Sequence, residues 1–156
     1  MEEVTLTGIT DQDIELIMAW RSNPLVYEYL YLQRGPLIWT DHIKWWLKTK
    51  NDKDRLPYMI WFKSRKVGSV SLHSFSTGTP EVDVYIGETT LWGKGIAKKA
   101  LQEIIKLNSD TLKRYKVVCA RIMKGNIRSQ KLFESCGFTR RGEGRPGEWY
   151  YEKVIK

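Results

Sequence analysis

Residues 91–101 read Leu91-Trp92-Gly93-Lys94-Gly95-Ile96-Ala97-Lys98-Lys99-Ala100-Leu101. Ile96, Ala97, Ala100 and Leu101 recur at helical spacing and Ile104 and Ile105 prolong the stripe, so an amphipathic helix is launched here. Two glycines stand at its start, although glycine weakens a helix. Just upstream, Glu81 to Ile86 alternates as a strand. A strand, a glycine turn and a helix N-terminus make an anion site. The first-turn N–H groups lack intrahelical acceptors, and the helix dipole places roughly half a positive charge there. Gly93 and Gly95 let phosphate oxygens approach the amides, and Lys94, Lys98 and Lys99 add positive potential. The plainer alternative is a turn followed by a solvated lysine face. A dinucleotide fingerprint is excluded because Lys98 stands where its third glycine would be, and no G-K-[ST] of a P-loop follows.

Working outward, Val4 to Thr7 reads as a strand, and Thr10-Asp11-Gln12-Asp13 as a capping box opening a helix with Ile14, Ile17 and Met18 on one face. Pro24 ends that helix near Ser22-Asn23. Thr40-Asp41 caps a second helix with Ile43, Trp46 and Leu47 at helical spacing. Pro57 to Lys63 and Lys66 to Phe75 read as strands joined around Ser64-Arg65, and a turn at Thr77-Gly78-Thr79-Pro80 leads to Glu81. Beyond the glycine loop the helix fades at Asn108-Ser109-Asp110. Lys116 to Ile122 is a strand, and Asn126 caps a helix bearing Ser129, Leu132, Phe133 and Cys136. Gly137 closes it as a left-handed residue, and Trp149 to Ile155 supplies a last strand. The expected order is β-α-α-β-β-β-α-β-α-β-β, a mixed sheet with helices on both faces.

One domain over residues 1–156 suits the length, and 42% hydrophobic with 28% charged residues suits a packed core. No apolar run nears the ~20 residues that span a bilayer, and Met1-Glu2-Glu3-Val4 lacks the basic-then-apolar pattern of a leader, so a cytoplasmic chain without membrane partner is expected. Cys119 and Cys136 lie in apolar patterns and are expected as buried free thiols. The net charge of +8 calls for an acidic partner: nucleic acid, an anionic membrane or a phosphate-bearing small molecule. The lysines and arginines are spread over many elements without a recognisable nucleic-acid-binding motif, which argues against a non-enzymatic nucleic-acid-binding domain.

The glycine loop and a second stretch, Gly125-Asn126-Ile127-Arg128-Ser129-Gln130-Lys131-Leu132-Phe133-Glu134-Ser135-Cys136-Gly137-Phe138, together resemble the GNAT acyl-CoA N-acetyltransferases. That family's pyrophosphate loop reads R/Q-x-x-G-x-G/A and its later helix N-x-x-S/A-x-x-L-[YF]-x-x-x-G-F. The resemblance covers nearly the whole chain. It implies an α+β fold: one domain with a twisted, mostly antiparallel mixed sheet of six to seven strands. It further implies acetyl-CoA as acetyl donor, with its pyrophosphate held by Trp92, Gly93, Lys94, Gly95, Ile96 and Ala97 and its pantetheine paired with the backbone at Tyr85 and Ile86. Asn126 and Ser129 would face the thioester, with Phe133 on the same helix. No metal is implied, and a homodimer stays open.

Acetyl transfer to an amine needs a group that relieves an ammonium of pKa ~10.4 of its proton, and a proton for the departing thiolate. Glu81, Asp83 and Glu88 are the candidate bases; Glu81 matches the acidic residue that opens this strand in the family, and alternation sets Asp83 on the same face. Each of them is equally readable as an exposed charge on a strand. The family's usual tyrosine donor is replaced by Phe133, which passes the role to Ser129, to Tyr85 or to water. Thr90 replaces the Gln or Arg that often opens the loop, without touching the amides.

For the acceptor, Trp20-Arg21-Ser22-Asn23-Pro24 resembles the W-R-N-D-P segment of ribosomal-protein N-terminal acetyltransferases. Ile38-Trp39-Thr40-Asp41-His42-Ile43-Lys44-Trp45-Trp46 resembles instead the I-S-x-x-x-H-x-x-W-F stretch of pseudaminic-acid-pathway sugar N-acetyltransferases. The second resemblance is favoured and implies an amino sugar on a nucleotide as small-molecule amine acceptor. Arg21, Tyr29, Trp39 and His42, with Tyr27 and Tyr31, are then the candidate acceptor contacts; the alternative makes Trp46 core and His42 a helix residue bonded to backbone or water.

Overall fold

The computed structural model describes residues 3–31 and 33–155. Met1 and Glu2, part of the leader reading, lie outside them. Seven strands form one sheet in the order β1-β2-β3-β4-β5-β7-β6. They are β1 (Val4–Gly8), β2 (Arg55–Phe62), β3 (Arg65–His73), β4 (Glu81–Ile86), β5 (Val117–Met123), β6 (Thr139–Glu143) and β7 (Glu148–Val154). The helices are α1 (Ile14–Arg21), α2 (Pro24–Tyr27), α3 (Trp39–Thr49), α4 (Ile96–Leu107), α5 (Ser109–Leu112) and α6 (Ile127–Ser135). All neighbours are antiparallel except β4 and β5. The fold is the α+β arrangement expected, with seven strands.

Strand alternation sorts the core into two layers. Val70, Leu72, Val82, Ile86, Val118, Ala120 and Ile122 pack with Ile96, Ala100, Leu101 and Ile104 of α4. Met59 and Tyr85 pack on the opposite face with Ile14, Ile17 and Trp20 of α1 and Trp46 of α3. The capping box forms as read: Thr10 N–H donates to the Asp13 carboxylate at 2.9 Å, ahead of α1. Pro24 does end α1, but Asn23 then caps a further short helix, accepting from Leu25 N–H at 3.0 Å. The second helix begins at Trp39 rather than after Thr40-Asp41, and its Leu47 is exposed where the spacing placed it on the apolar face. The β2–β3 turn sits one residue earlier than read, at Lys63-Ser64, where φ values of 52° and 61° give the left-handed pair a tight hairpin needs. Cys119 and Cys136 are free; Cys119 is buried and Cys136 half-buried at the end of α6.

The decisive feature lies between β4 and β5. Their pairing is confined to Glu81 opposite Cys119, with Cys119 N–H donating to Pro80 O at 2.9 Å. Beyond that point the strands part. Gly87 N–H donates to Val67 O at 2.8 Å, which sets the phase of the β3–β4 ladder: residues 81, 83 and 85 turn their backbone groups to β3, and Val84 and Ile86 turn theirs toward the gap.

Candidate active site

The gap opens into a cavity of about 700 Å³. One half is walled by the glycine loop and the starts of α4 and α6, the other by β4, the ends of α1 and α3, and the loop after α2.

In the first half, Gly93 and Gly95 both have positive φ, 83° and 80°, and Gly95 is the residue from which α4 departs. A Cβ on Gly93 would meet nothing within 4 Å. Its glycine is therefore demanded by backbone conformation rather than by crowding. Among the described residues, no main-chain N–H from Gly93 through Lys98 donates a hydrogen bond, and these donors sit at the positive end of α4. The Trp92 indole anchors the loop by donating to Ile86 O at 2.8 Å. Of the backbone at Tyr85 and Ile86, that carbonyl is thus already engaged. Gly93, Gly95, Ile96, Ala97 and Lys98 line the cavity, as does Trp92; Lys94 is exposed and does not.

From the other side Asn126 caps α6, accepting from Ser129 N–H at 3.2 Å, while Gln130 ties the helix to the end of β5 through Met123 O and Lys124 O. Gly137 has φ 89° and closes the helix as read, with Phe138 N–H returning to Phe133 O at 3.1 Å. Asn126 and Ser129 line the cavity, and Phe133 lies deep in it against Phe138, ring centroids 5.0 Å apart. The sequence reading assigned nothing to Arg128. Its guanidinium lies over the Trp92 ring at 4.1 Å and lines the cavity, joining the glycine loop to the start of α6. Its place two residues after the cap of α6 was the available signal.

In the second half, Glu81, Asp83 and Tyr85 share one face of β4 opposite His73, Ser71 and Ser69 of β3. Their fates differ. Glu81 is ion-paired with Arg121 and largely covered. Asp83 opens onto the cavity, its side chain 59% exposed. Ser71 Oγ donates to Asp83 Oδ1 at 2.7 Å, and His73 Nε2 lies 3.0 Å from Oδ2. Burial raises the Asp83 carboxyl, but the His73 hydrogen bond and charge, with Ser71 and Arg55, outweigh it and hold the group below the usual carboxylate range. Glu88 is spent elsewhere, on the Trp20 indole at 2.6 Å and Arg65 at 3.3 Å. Burial foremost, with the Asp83 charge, pushes the Tyr85 phenol well above its ordinary value. Tyr85 therefore keeps its proton throughout the neutral range.

Arg21, Tyr29 and Tyr31 reach the cavity. Trp39 and His42 do not. Trp39 is 44% exposed on the surface, and His42 is 2% exposed, donating from Nε2 to Ile14 O at 2.7 Å and stacked on Trp45. Burial first, and Arg21 beside it, push the imidazole below its usual value despite the Ile14 bond. A neutral, core-facing His42 fits the structural alternative for this residue. Trp45, absent from the candidate contacts, lines the cavity with Arg21 at 5.8 Å over its ring. Arg145 on the β6–β7 turn forks onto buried Glu148 at 2.7 and 2.9 Å and lies 3.8 Å over Tyr31, roofing the second half of the cavity.

Among the described residues no group of three or more His, Cys, Asp or Glu could hold a metal, and no helix is long and apolar enough to cross a membrane.

The sequence model described as Acetyltransferase (GNAT) domain matches residues 3–139. Over 154 residues the chain is 43% identical to uncharacterized protein MJ1062 of Methanocaldococcus jannaschii, aligning 96% of this chain with 31% of that protein; the chain thus spans under a third of that relative's length. It is 23% identical over 133 residues to Acetyltransferase PseH of Campylobacter jejuni, covering 85% of this chain and 81% of that one. The aminoglycoside acetyltransferase AAC(6')-Ib, solved with ribostamycin and coenzyme A, superposes with a TM-score of 0.86 at 16% identity, over 98% of this chain and 94% of that chain, a likeness of fold. With a glycine-shaped amide cradle beside a parted β4–β5 pair and a family match over most of its residues, the chain belongs to the GNAT acetyltransferase family.

Proposed function

We propose that the enzyme transfers an acetyl group from acetyl-CoA to the primary amine of an amino sugar carried on a nucleotide. The observation that carries this reading is the asymmetry of the acceptor half. Asp83 offers an ionised carboxylate to an amine, while Arg21 and Arg55, which also line the cavity, have no carboxylate partner among the described residues. Arg21 spends its guanidinium on Gln33 Oε1 at 3.3 Å, and Arg55 acts on Asp83 only through its charge. An acceptor bearing both an amine and an anion complements that pattern. The likeness of Ile38 to Trp46 to the sugar N-acetyltransferases and the 23% identity to PseH support the same choice.

The consecutive N–H donors from Gly93 to Lys98 suit the coenzyme's diphosphate, and the gap-facing Val84 backbone with the Ile86 N–H suits its pantetheine amides; the pairing expected at Tyr85 does not arise, because its backbone groups turn to β3. Acetyl-CoA, when bound, supplies an acetyl group activated as a thioester. Asp83 accepts the acceptor's proton directly or through one water. Tyr85 and Ser129 both line the cavity, and in this reading their O–H groups are the donors to the departing sulfur. Ser129 Oγ has no hydrogen-bond partner among the described residues, so it is free for that task.

A protein N-terminal acetyltransferase is the second reading, from Trp20 to Pro24. In the fold, Trp20 is buried against Gly87 and tied to Glu88, so the tryptophan of that segment serves the scaffold. A cytoplasmic setting and a homodimer complete the proposal. The deciding experiment is thiol release from acetyl-CoA with a panel of nucleotide-linked amino sugars, peptide N-termini, polyamines and aminoglycosides. The nucleotide-linked sugars should lead, and Arg21→Gln with Arg55→Gln should each cost roughly tenfold or more in kcat/KM for them. Faster turnover of peptides or of polycationic amines would refute the choice of acceptor.

A further inference from the structure

His73 was not among the residues singled out from the sequence, yet it sits at the centre of the polar cluster beneath the acceptor half. It closes β3 directly opposite Glu81, two pairs along from the Ser71–Asp83 pair and on the same face of the sheet. Its Nε2 is 3.0 Å from Asp83 Oδ2 and 3.9 Å from Glu81 Oε2, its Nδ1 is 2.8 Å from Ser74 Oγ, and its side chain is only 13% exposed. An ionised carboxylate only accepts, so Nε2 carries the proton facing Asp83. In the neutral ring, Nδ1 then accepts from the Ser74 hydroxyl. Ser74 is itself held in an unusual left-handed conformation, φ 62°.

We infer that His73 is a positioning residue for Asp83: together with Ser71 it clamps one lone pair of each carboxylate oxygen, leaving the other pair of directions open to the acceptor's amine. Ser71 holds Oδ1 and His73 holds Oδ2, so the carboxylate plane is fixed from the β3 side while its free edge meets the cavity. Arg121 keeps Glu81 engaged, which prevents the second carboxylate from competing for the imidazole at shorter range. The charged or titratable groups around Asp83 are Arg55 from β2, His73 from β3, Glu81 and Tyr85 from β4, and Arg121 from β5. Arg21 from α1 acts on Tyr85, and the Arg145–Glu148 pair lies across the cavity. His73 is the one among them that bonds the carboxylate directly. The catalytic part of this inference rests on the acetyltransferase reading; the clamp itself does not.

The test separates the two. The carboxyl carbon of Asp83, identified by its loss in Asp83→Asn, is followed by NMR from about pH 2 to pH 8 in the whole chain, bracketing the ordinary carboxylate value. In His73→Gln its midpoint should move upward, toward that ordinary value, while the His42 signal reports an intact core. An unmoved midpoint overturns the clamp. Should His73→Gln fail to fold, the wild type decides: it has two histidines, and the His73 imidazole nitrogens should sense the same acid titration as Asp83. Imidazole nitrogen shifts of His73 with no inflection at the Asp83 midpoint overturn the inference. With the acceptor that the thiol-release panel selects, the acid limb of kcat/KM should shift upward in His73→Gln. At the optimum kcat should fall tenfold to about a hundredfold with KM for acetyl-CoA unchanged. A pH profile of unchanged shape would leave His73 a purely structural residue. A wild type that releases thiol with no amine defeats the acetyltransferase reading, and the NMR titration still decides the clamp.

Discussion

The two halves of the cavity are built on different principles. The donor half is backbone: a run of amides made available by left-handed glycines at the head of one helix, faced by the capped start of another. The acceptor half is side chains, drawn from α1, α3, β2, β3, β4, the loop after α2 and the β6–β7 turn. A backbone cradle tolerates change of side chain but not of main-chain conformation. A side-chain site behaves in the opposite way, since each contact is carried by one replaceable group. The contrast ranks what should break each half.

The largest effect is expected from Gly95→Asp, which forces a β-carbon onto a φ of 80° and sets a carboxylate at the helix head. Titration calorimetry should show acetyl-CoA bound at least about a hundredfold more weakly. Gly78→Asp, at a φ of 86° in an exposed turn off the cavity, imposes similar backbone strain and should leave the affinity alone. Equal losses in both would reduce the cradle to a matter of stability.

Next comes the contrast within β4. Asp83→Asn should lower kcat by about 10²-fold to 10⁴-fold while the dissociation constant for acetyl-CoA holds. Glu81→Gln should act mainly on stability, because it strands the Arg121 guanidinium in a partly covered place. If Glu81→Gln proves the slower enzyme, the two carboxylates exchange roles.

A smaller effect attaches to Arg128→Gln, which removes the stack on Trp92 and one cation at the junction of the two cofactor-side walls. Acetyl-CoA binding should weaken by a few-fold to about tenfold, the range of a partly desolvated cation–π contact. The acceptor KM should not change.

The smallest effect concerns acid. The Asp83 carboxyl lies lower in the folded chain than in the unfolded one, so the stability it contributes is present above the unfolded value of ~3.9 and is lost as pH falls through the folded value. Urea midpoints should hold from neutrality to about pH 5 and decline only at lower pH, more shallowly in Asp83→Asn. A decline that begins near neutrality would assign the loss to another group.

Much of this is legible in the sequence, and unevenly so. The glycine loop, the Asn126 cap and the left-handed Gly137 are local devices: each depends on residues within one or two turns, and each formed where the sequence placed it. Trp39 and His42 misled because helical spacing says which residues share a face and not which face meets the cavity. Ile14 O, from another helix, claims His42. His73 was silent because its meaning comes from cross-strand neighbours Glu81 and Asp83, and Arg55 because it is brought to Asp83 by strand pairing across β3.

By itself, then, the sequence determined the strands, the longer helices, their order and the amide cradle, since hydrogen-bonding demands at helix ends and glycine conformations are settled by near neighbours in the chain; the short helices α2 and α5 were not in that reading. Only the tertiary structure decided which carboxylate faces the cavity, which arginines lack a carboxylate partner among the described residues and where β4 and β5 part, because those depend on distances between residues that the chain order keeps far apart.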